Sequence, residues 1–161
     1  MNKICYEPIG IINSPNKDGK GTPIQPRGAT NITGKVTVYD KYKEGLKDLD
    51  GFSHIILIYH FHRSKEYSLS SKPYMDDKKH GVFAMRGPSR PNSIGFSVVE
   101  LLKIENNNLF IKNLDILDGT PVLDIKPYVP QFDIYEVSKY GWLENVVHKL
   151  DNTEDDGRFI D

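Results

Sequence analysis

Apolar residues in this chain come in short runs, and glycine, proline or asparagine interrupts most of them. That punctuation favours short strands and turns over long helices. Ile4 to Ile12 reads as a strand ended by the Asn13-Ser14-Pro15 turn, and β-branched Val36, Thr37 and Val38 mark a short strand over Lys35 to Tyr39. Ile55-Ile56-Leu57-Ile58-Tyr59 is continuous and apolar, as a strand buried on both faces should be. Further strands are predicted at Val82-Phe83, from Gly95 to Ile104, from Leu109 to Leu117 and from Val122 to Ile125. Asn106-Asn107-Asn108 is a hairpin turn, because asparagine tolerates positive φ. Tyr42 to Leu49 reads as a helical turn. One longer helix is predicted over Val137 to Lys149, where Leu143, Val146, Val147 and Leu150 share a face. Pro15 to Gly28 and Ser64 to His80 are polar and aperiodic, and loops of that length in a compact domain are often functional. The pattern predicts a mainly β fold: a small antiparallel β-barrel with long functional loops and a C-terminal helix.

A chain of 161 residues suits one domain, expected over residues 1–150. Residues 151–161 form an acidic tail, where Asp151, Glu154, Asp155, Asp156 and Asp161 outnumber Arg158. Cys5 is the only cysteine, so no intrachain disulfide can form and a reducing, cytoplasmic setting is expected. No apolar stretch approaches the ~20 residues of a membrane helix, so no membrane partner is expected. Net charge is −1, which gives the whole molecule no footprint for nucleic acid. Between Lys72 and Arg90, however, Lys72, Lys78, Lys79, Arg86 and Arg90 outnumber Asp76 and Asp77. A local patch of this kind suffices to grip RNA phosphates.

The most informative loop is Phe83-Ala84-Met85-Arg86-Gly87-Pro88-Ser89-Arg90-Pro91-Asn92-Ser93-Ile94-Gly95. Its prolines fix φ and its glycines open angles closed to other residues, so the loop holds a defined shape. Arg86 and Arg90 offer forked, permanently charged donors that suit carboxylates and phosphates. A second segment, Asp118-Gly119-Thr120-Pro121-Val122-Leu123-Asp124-Ile125-Lys126-Pro127-Tyr128, joins an Asp-Gly turn to an alternating stretch.

With Ile9-Gly10-Ile11-Ile12-Asn13-Ser14-Pro15, Pro23-Ile24-Gln25-Pro26, Gly51-Phe52-Ser53-His54 and Phe61-His62-Arg63, these two segments resemble the TsaA-like (TrmO-type) family over nearly the whole chain. Met85 and Ser93 depart from that pattern, at positions where members commonly carry Thr and Pro. The resemblance implies a β-barrel that uses S-adenosylmethionine (SAM) to methylate N6 of a threonylcarbamoylated adenosine beside the tRNA anticodon. It also implies a homodimer, and tRNA rather than DNA as the partner. Cofactor contacts are implied at Pro26, Arg27, Gly28, His62, Arg63, Arg86, Phe96, Leu117, Asp118, Gly119 and Thr120. Substrate contacts are expected at Arg90, Lys126 and Tyr128, with a threonyl carboxylate as the target of an arginine fork.

N6 of such a nucleoside belongs to a urea-like group, so its lone pair is delocalised and its proton must leave for methyl transfer to proceed. Asp118 and Asp124 are the nearest acceptors by motif, with Arg86 a third catalytic candidate. Two other classes are open to this sequence. His60, His62 and Glu66 resemble part of a cupin metal motif, although its flanking glycines are missing and no metal is expected. A SAM-binding regulatory module without catalysis is the second.

Overall fold

A computed structural model describes residues 3–159, so Asp161 of the acidic tail lies outside the described residues. Six strands close a barrel: β1 (Gly10–Asn13), β2 (Thr33–Val38), β3 (His54–His60), β6 (Ile94–Glu105), β7 (Asn108–Lys112) and β8 (Pro121–Pro127). Their order around the barrel is β1-β2-β7-β6-β3-β8, every pairing is antiparallel, and β8 returns to β1. Closure leaves this sheet without an open edge. The short pair β4 (Ser70–Ser71) and β5 (His80–Gly81) lies inside the second long loop.

Alternation fills the barrel. Val36 and Val38, Ile55 and Leu57, Leu109 and Ile111 are each two residues apart and fully buried, as a period of two requires of inward side chains. β3 pairs with β6 and β8, and Ile55, Ile56 and Leu57 are buried in succession along it. The β6–β7 hairpin turns at Asn106, whose φ is +56°, with Glu105 opposite Asn108.

Four sequence expectations need correction. The first strand begins at Gly10 rather than Ile4, and Ile4 and Tyr6 are exposed with no strand alongside. Val82–Ala84 is a 3-10 turn, not a strand. The partner of β6 ends at Lys112, because Asn113 adopts φ +63° and turns the chain inward before Leu117. No helix spans Val137 to Lys149; two 3-10 turns, Gly141–Asn145 and Val147–Asn152, meet at Val146. Val146 has φ −129° and ψ −8°, which interrupts any helix there. The apolar spacing still has a use, since Leu143, Val147 and Leu150 face the same cleft.

The C-terminal segment folds back as a strap. Its backbone bonds Gly21 and Thr22 through Asp155, and Phe159 O accepts from Lys65 N and from Ser89 Oγ. Arg158 Nη1 donates to Pro73 O, and the Phe159 ring meets Tyr74 edge-on at 5.1 Å. Three separate loops are thereby tied together over one end of the barrel.

Candidate active site

Beneath that strap a cleft of about 740 Å³ opens at the end of β3 and the start of β6. Tyr59, Phe61, His62 and Arg63 enter it from β3 and its continuation, Arg86 and Arg90 from the arginine loop, Gly95 and Phe96 from β6, and Leu117 and Thr120 from the turn before β8. His62 Nδ1 lies 3.2 Å from Thr120 Oγ1. Burial lowers the His62 pKa, helped by Arg63 and His60 and opposed by Asp118, so the imidazole is neutral at neutral pH. Gly119 holds φ +75° in this turn, a conformation that suits glycine.

The two loop arginines have different surroundings. Arg90 Nη1 donates to Met85 O at 2.9 Å and to Gly87 O at 3.3 Å, so its guanidinium braces the loop from within. Arg86 is exposed, and its guanidinium carbon sits 5.9 Å from the centroid of the Phe96 ring. Arg63 Nη1 donates to Lys17 O at 2.8 Å, which ties the strand end to the first long loop.

Other residues singled out in the sequence lie off this lining. Pro26, Arg27 and Gly28 form a turn, closed by Gly28 N to Gln25 O and Ala29 N to Pro26 O; Gln25 reaches the cleft and those three do not. Asp118 accepts from Ser14 N at 2.9 Å and pairs with Lys17 at 2.7 Å. The Lys17 ammonium, and then the Ser14 amide, hold its pKa below the usual carboxylate value. Asp124 pairs with Lys126 at 2.7 Å and accepts from Ile125 N. The register sets Lys126 against Ile56 and bonds Tyr128 N to His54 O, at the opposite end of β3 from the cleft. Among the described residues, no three His, Cys, Asp or Glu side chains converge in a way that could hold a metal, so His60, His62 and Glu66 form no such centre.

One carboxylate in the cleft was not singled out by sequence. Asp115 lines it, and Ser97 Oγ donates to Asp115 Oδ1 at 2.8 Å. With that proton committed, the Tyr59 hydroxyl, 3.1 Å away, donates to Ser97 Oγ, and a chain Tyr59–Ser97–Asp115 results. Burial pushes the Asp115 carboxyl up to about 7, against the lowering effect of the Ser97 hydrogen bond. Burial raises the Tyr59 phenol as well, followed by the effect of Asp115. A lone carboxylate between Leu114 and Ile116 was the available signal, because an acid inside an apolar stretch is a perturbed-pKa candidate. Trp142, Leu143 and Phe159 also line the cleft, brought there by the strap.

Comparison with known proteins places this geometry in context. Residues 11–134 match the family model of the tRNA-methyltransferase O N-terminal domain. The chain is 60% identical over 157 residues to a "probable S-adenosyl-L-methionine-binding protein" of Pyrococcus abyssi, covering 98% of this chain and 85% of that protein. It is 35% identical over 139 residues to the human tRNA (adenine(37)-N6)-methyltransferase, covering 81% of this chain and 31% of that protein. The crystal structure of TrmO from Pseudomonas aeruginosa superposes with a TM-score of 0.74 at 36% identity, over 88% of this chain and 63% of that one.

Proposed function

The chain belongs to the tRNA-methyltransferase O N-terminal domain family, and on that premise we propose that its cleft binds SAM and methylates N6 of a threonylcarbamoylated adenosine at position 37 of tRNA. The observation that carries the reading is the convergence of His62, Arg63, Arg86, Phe96, Leu117 and Thr120, from separate segments, onto one cleft. Its volume falls within the ~300–1,000 Å³ of small-molecule sites.

The donor set fits such a ligand. Arg86 presents a planar fork to the carboxylate of the amino-acid end. The faces of Phe61, Phe96 and Trp142 offer surfaces for an adenine ring. Thr120 and the backbone of Leu117 to Thr120 supply polar partners at the turn. When bound, SAM supplies an electrophilic methyl group on a sulfonium. Met85, Leu117 and Phe159 make the surrounding wall apolar, which excludes water from the transfer. Asp118 anchors the turn through Ser14 and Lys17, and Lys126 and Tyr128 have no part in this cleft.

The proposal includes a homodimer in the cytoplasm. Phe132, Ile134, Tyr135 and Val137 form an exposed apolar stretch after β8, which a second copy would cover. Among the described residues no helix is long and apolar enough to cross a membrane. Titration calorimetry with SAM alone tests the cofactor assignment: saturable binding is expected, and its absence at millimolar SAM would sink it. Mass spectrometry of tRNA nucleosides from cells with and without the protein tests the acceptor.

A further inference from the structure

We propose that Asp115 is the proton acceptor of the methyl transfer, held in the cleft by the Tyr59–Ser97 hydrogen-bond chain; this rests on reading the cleft as a methyltransferase site. As the N6–methyl bond forms, the sulfur–methyl bond breaks and its electron pair stays on sulfur. The N6–H proton passes to the Asp115 carboxylate, and the electron pair of that bond remains on nitrogen. Sulfonium and carboxylate are both neutralised, and the proton later leaves to solvent.

Geometry selects Asp115 from the acids of the chain. It lines the cleft, whereas Asp118 and Asp124 do not and are paired with Lys17 and Lys126. Asp155 also lines the cleft, but its Oδ1 accepts from Gly157 N within the strap. Ser97 fixes one oxygen of Asp115, and Tyr59 fixes Ser97, so the carboxylate is oriented before any ligand arrives. Ser97 and Tyr59 are both buried inside the barrel and are rigid supports. The other titratable or charged groups on the cleft are Tyr59, His62, Arg63, Tyr74, Arg86, Arg90, Tyr140 and Asp155, and none of the ion pairs among the described residues includes Asp115. A carboxylate that burial makes more basic is also better matched to a reluctant urea N–H than an ordinary one.

The test compares wild type, Asp115→Asn and His62→Gln in single-turnover methylation of threonylcarbamoylated tRNA, with SAM affinity measured separately. Asp115→Asn is expected to lower the rate ~100-fold or more while leaving SAM affinity within a few-fold. The wild-type rate should rise with pH through the neutral range, and the residual rate of the variant should lack that limb. Independently of activity, the carboxyl carbon resonance of Asp115 should titrate near neutrality, and Ser97→Ala should move its midpoint upward, since a bond to the charged form is lost. Wild-type-like turnover in Asp115→Asn, or loss confined to His62→Gln, overturns the Asp115 assignment and leaves the methyltransferase reading standing. A midpoint in the ordinary aspartate range also overturns it. No transfer by the wild type overturns both.

Discussion

The ring of Tyr59 occupies the space that a side chain on its register partner Gly95 would need: a Cβ at position 95 would overlap Cε2 and Cζ. The glycine that ends the arginine loop is therefore what lets Tyr59 lie across β6 and reach Ser97. Gly95→Ala should displace the ring and cost about 1–3 kcal/mol, the range for overpacking a core. Urea unfolding of the variant checks this, and SAM binding should weaken with it.

Arg86 and Arg90 should separate by function. Arg86→Lys keeps the charge but loses the fork and the face-on contact with Phe96, so SAM affinity should fall by roughly 10- to 100-fold with little change in melting temperature. Arg90→Ala should instead lower the melting temperature, because Met85 O and Gly87 O lose their donor. Calorimetry and thermal melts on both variants distinguish a ligand contact from a brace. Wild-type affinity in Arg86→Lys would move the anion-binding role elsewhere.

Stability should depend on pH through Asp115. Its folded carboxyl is pushed up to about 7, whereas an unfolded aspartate titrates near ~3.9. Between those values the folded state holds a proton that the unfolded state has released. That contribution is complete below the unfolded value and is lost as pH rises through the folded one. Asp115→Asn has no such loss. Its melting temperature relative to wild type should therefore climb between about pH 4 and pH 7 and level off above, which thermal melts from about pH 4 to pH 8 can read.

Phe159 is the anchor of the strap, buried against Tyr74. Phe159→Ala should cost about 3 kcal/mol, the low end for truncating a buried aromatic. It should also open the cleft to water and weaken SAM binding. Denaturant melts with and without SAM separate the two effects, since ligand linkage adds stability only where the ligand still binds.

The barrel was legible because its signals are local. Ile55 to Tyr59, the alternating valines of β2 and the asparagines of the β6–β7 turn each carry their own instruction. The errors lie where tertiary contacts decide. Leu143, Val147 and Leu150 have helical spacing, yet they reach the cleft through 3-10 turns because the strap must also engage the loops near Thr22, Lys65 and Ser89. Asn113 is a lone asparagine within an apolar stretch, and its positive φ ends the strand there, sending Leu114 into the core and Asp115 to the cleft. In the site, motif reading reached the arginine loop and the Leu117-to-Thr120 turn. Asp115 was missed because its character comes from burial and from Ser97, eighteen residues away.

The most direct measurement uses purified protein, labelled SAM and two tRNA pools that differ only in the threonylcarbamoyl group at the anticodon-adjacent adenosine. Label should enter the modified pool at N6 and the unmodified pool poorly, even where the latter still binds. Equal incorporation into both pools, or none into either, would contradict the proposed function.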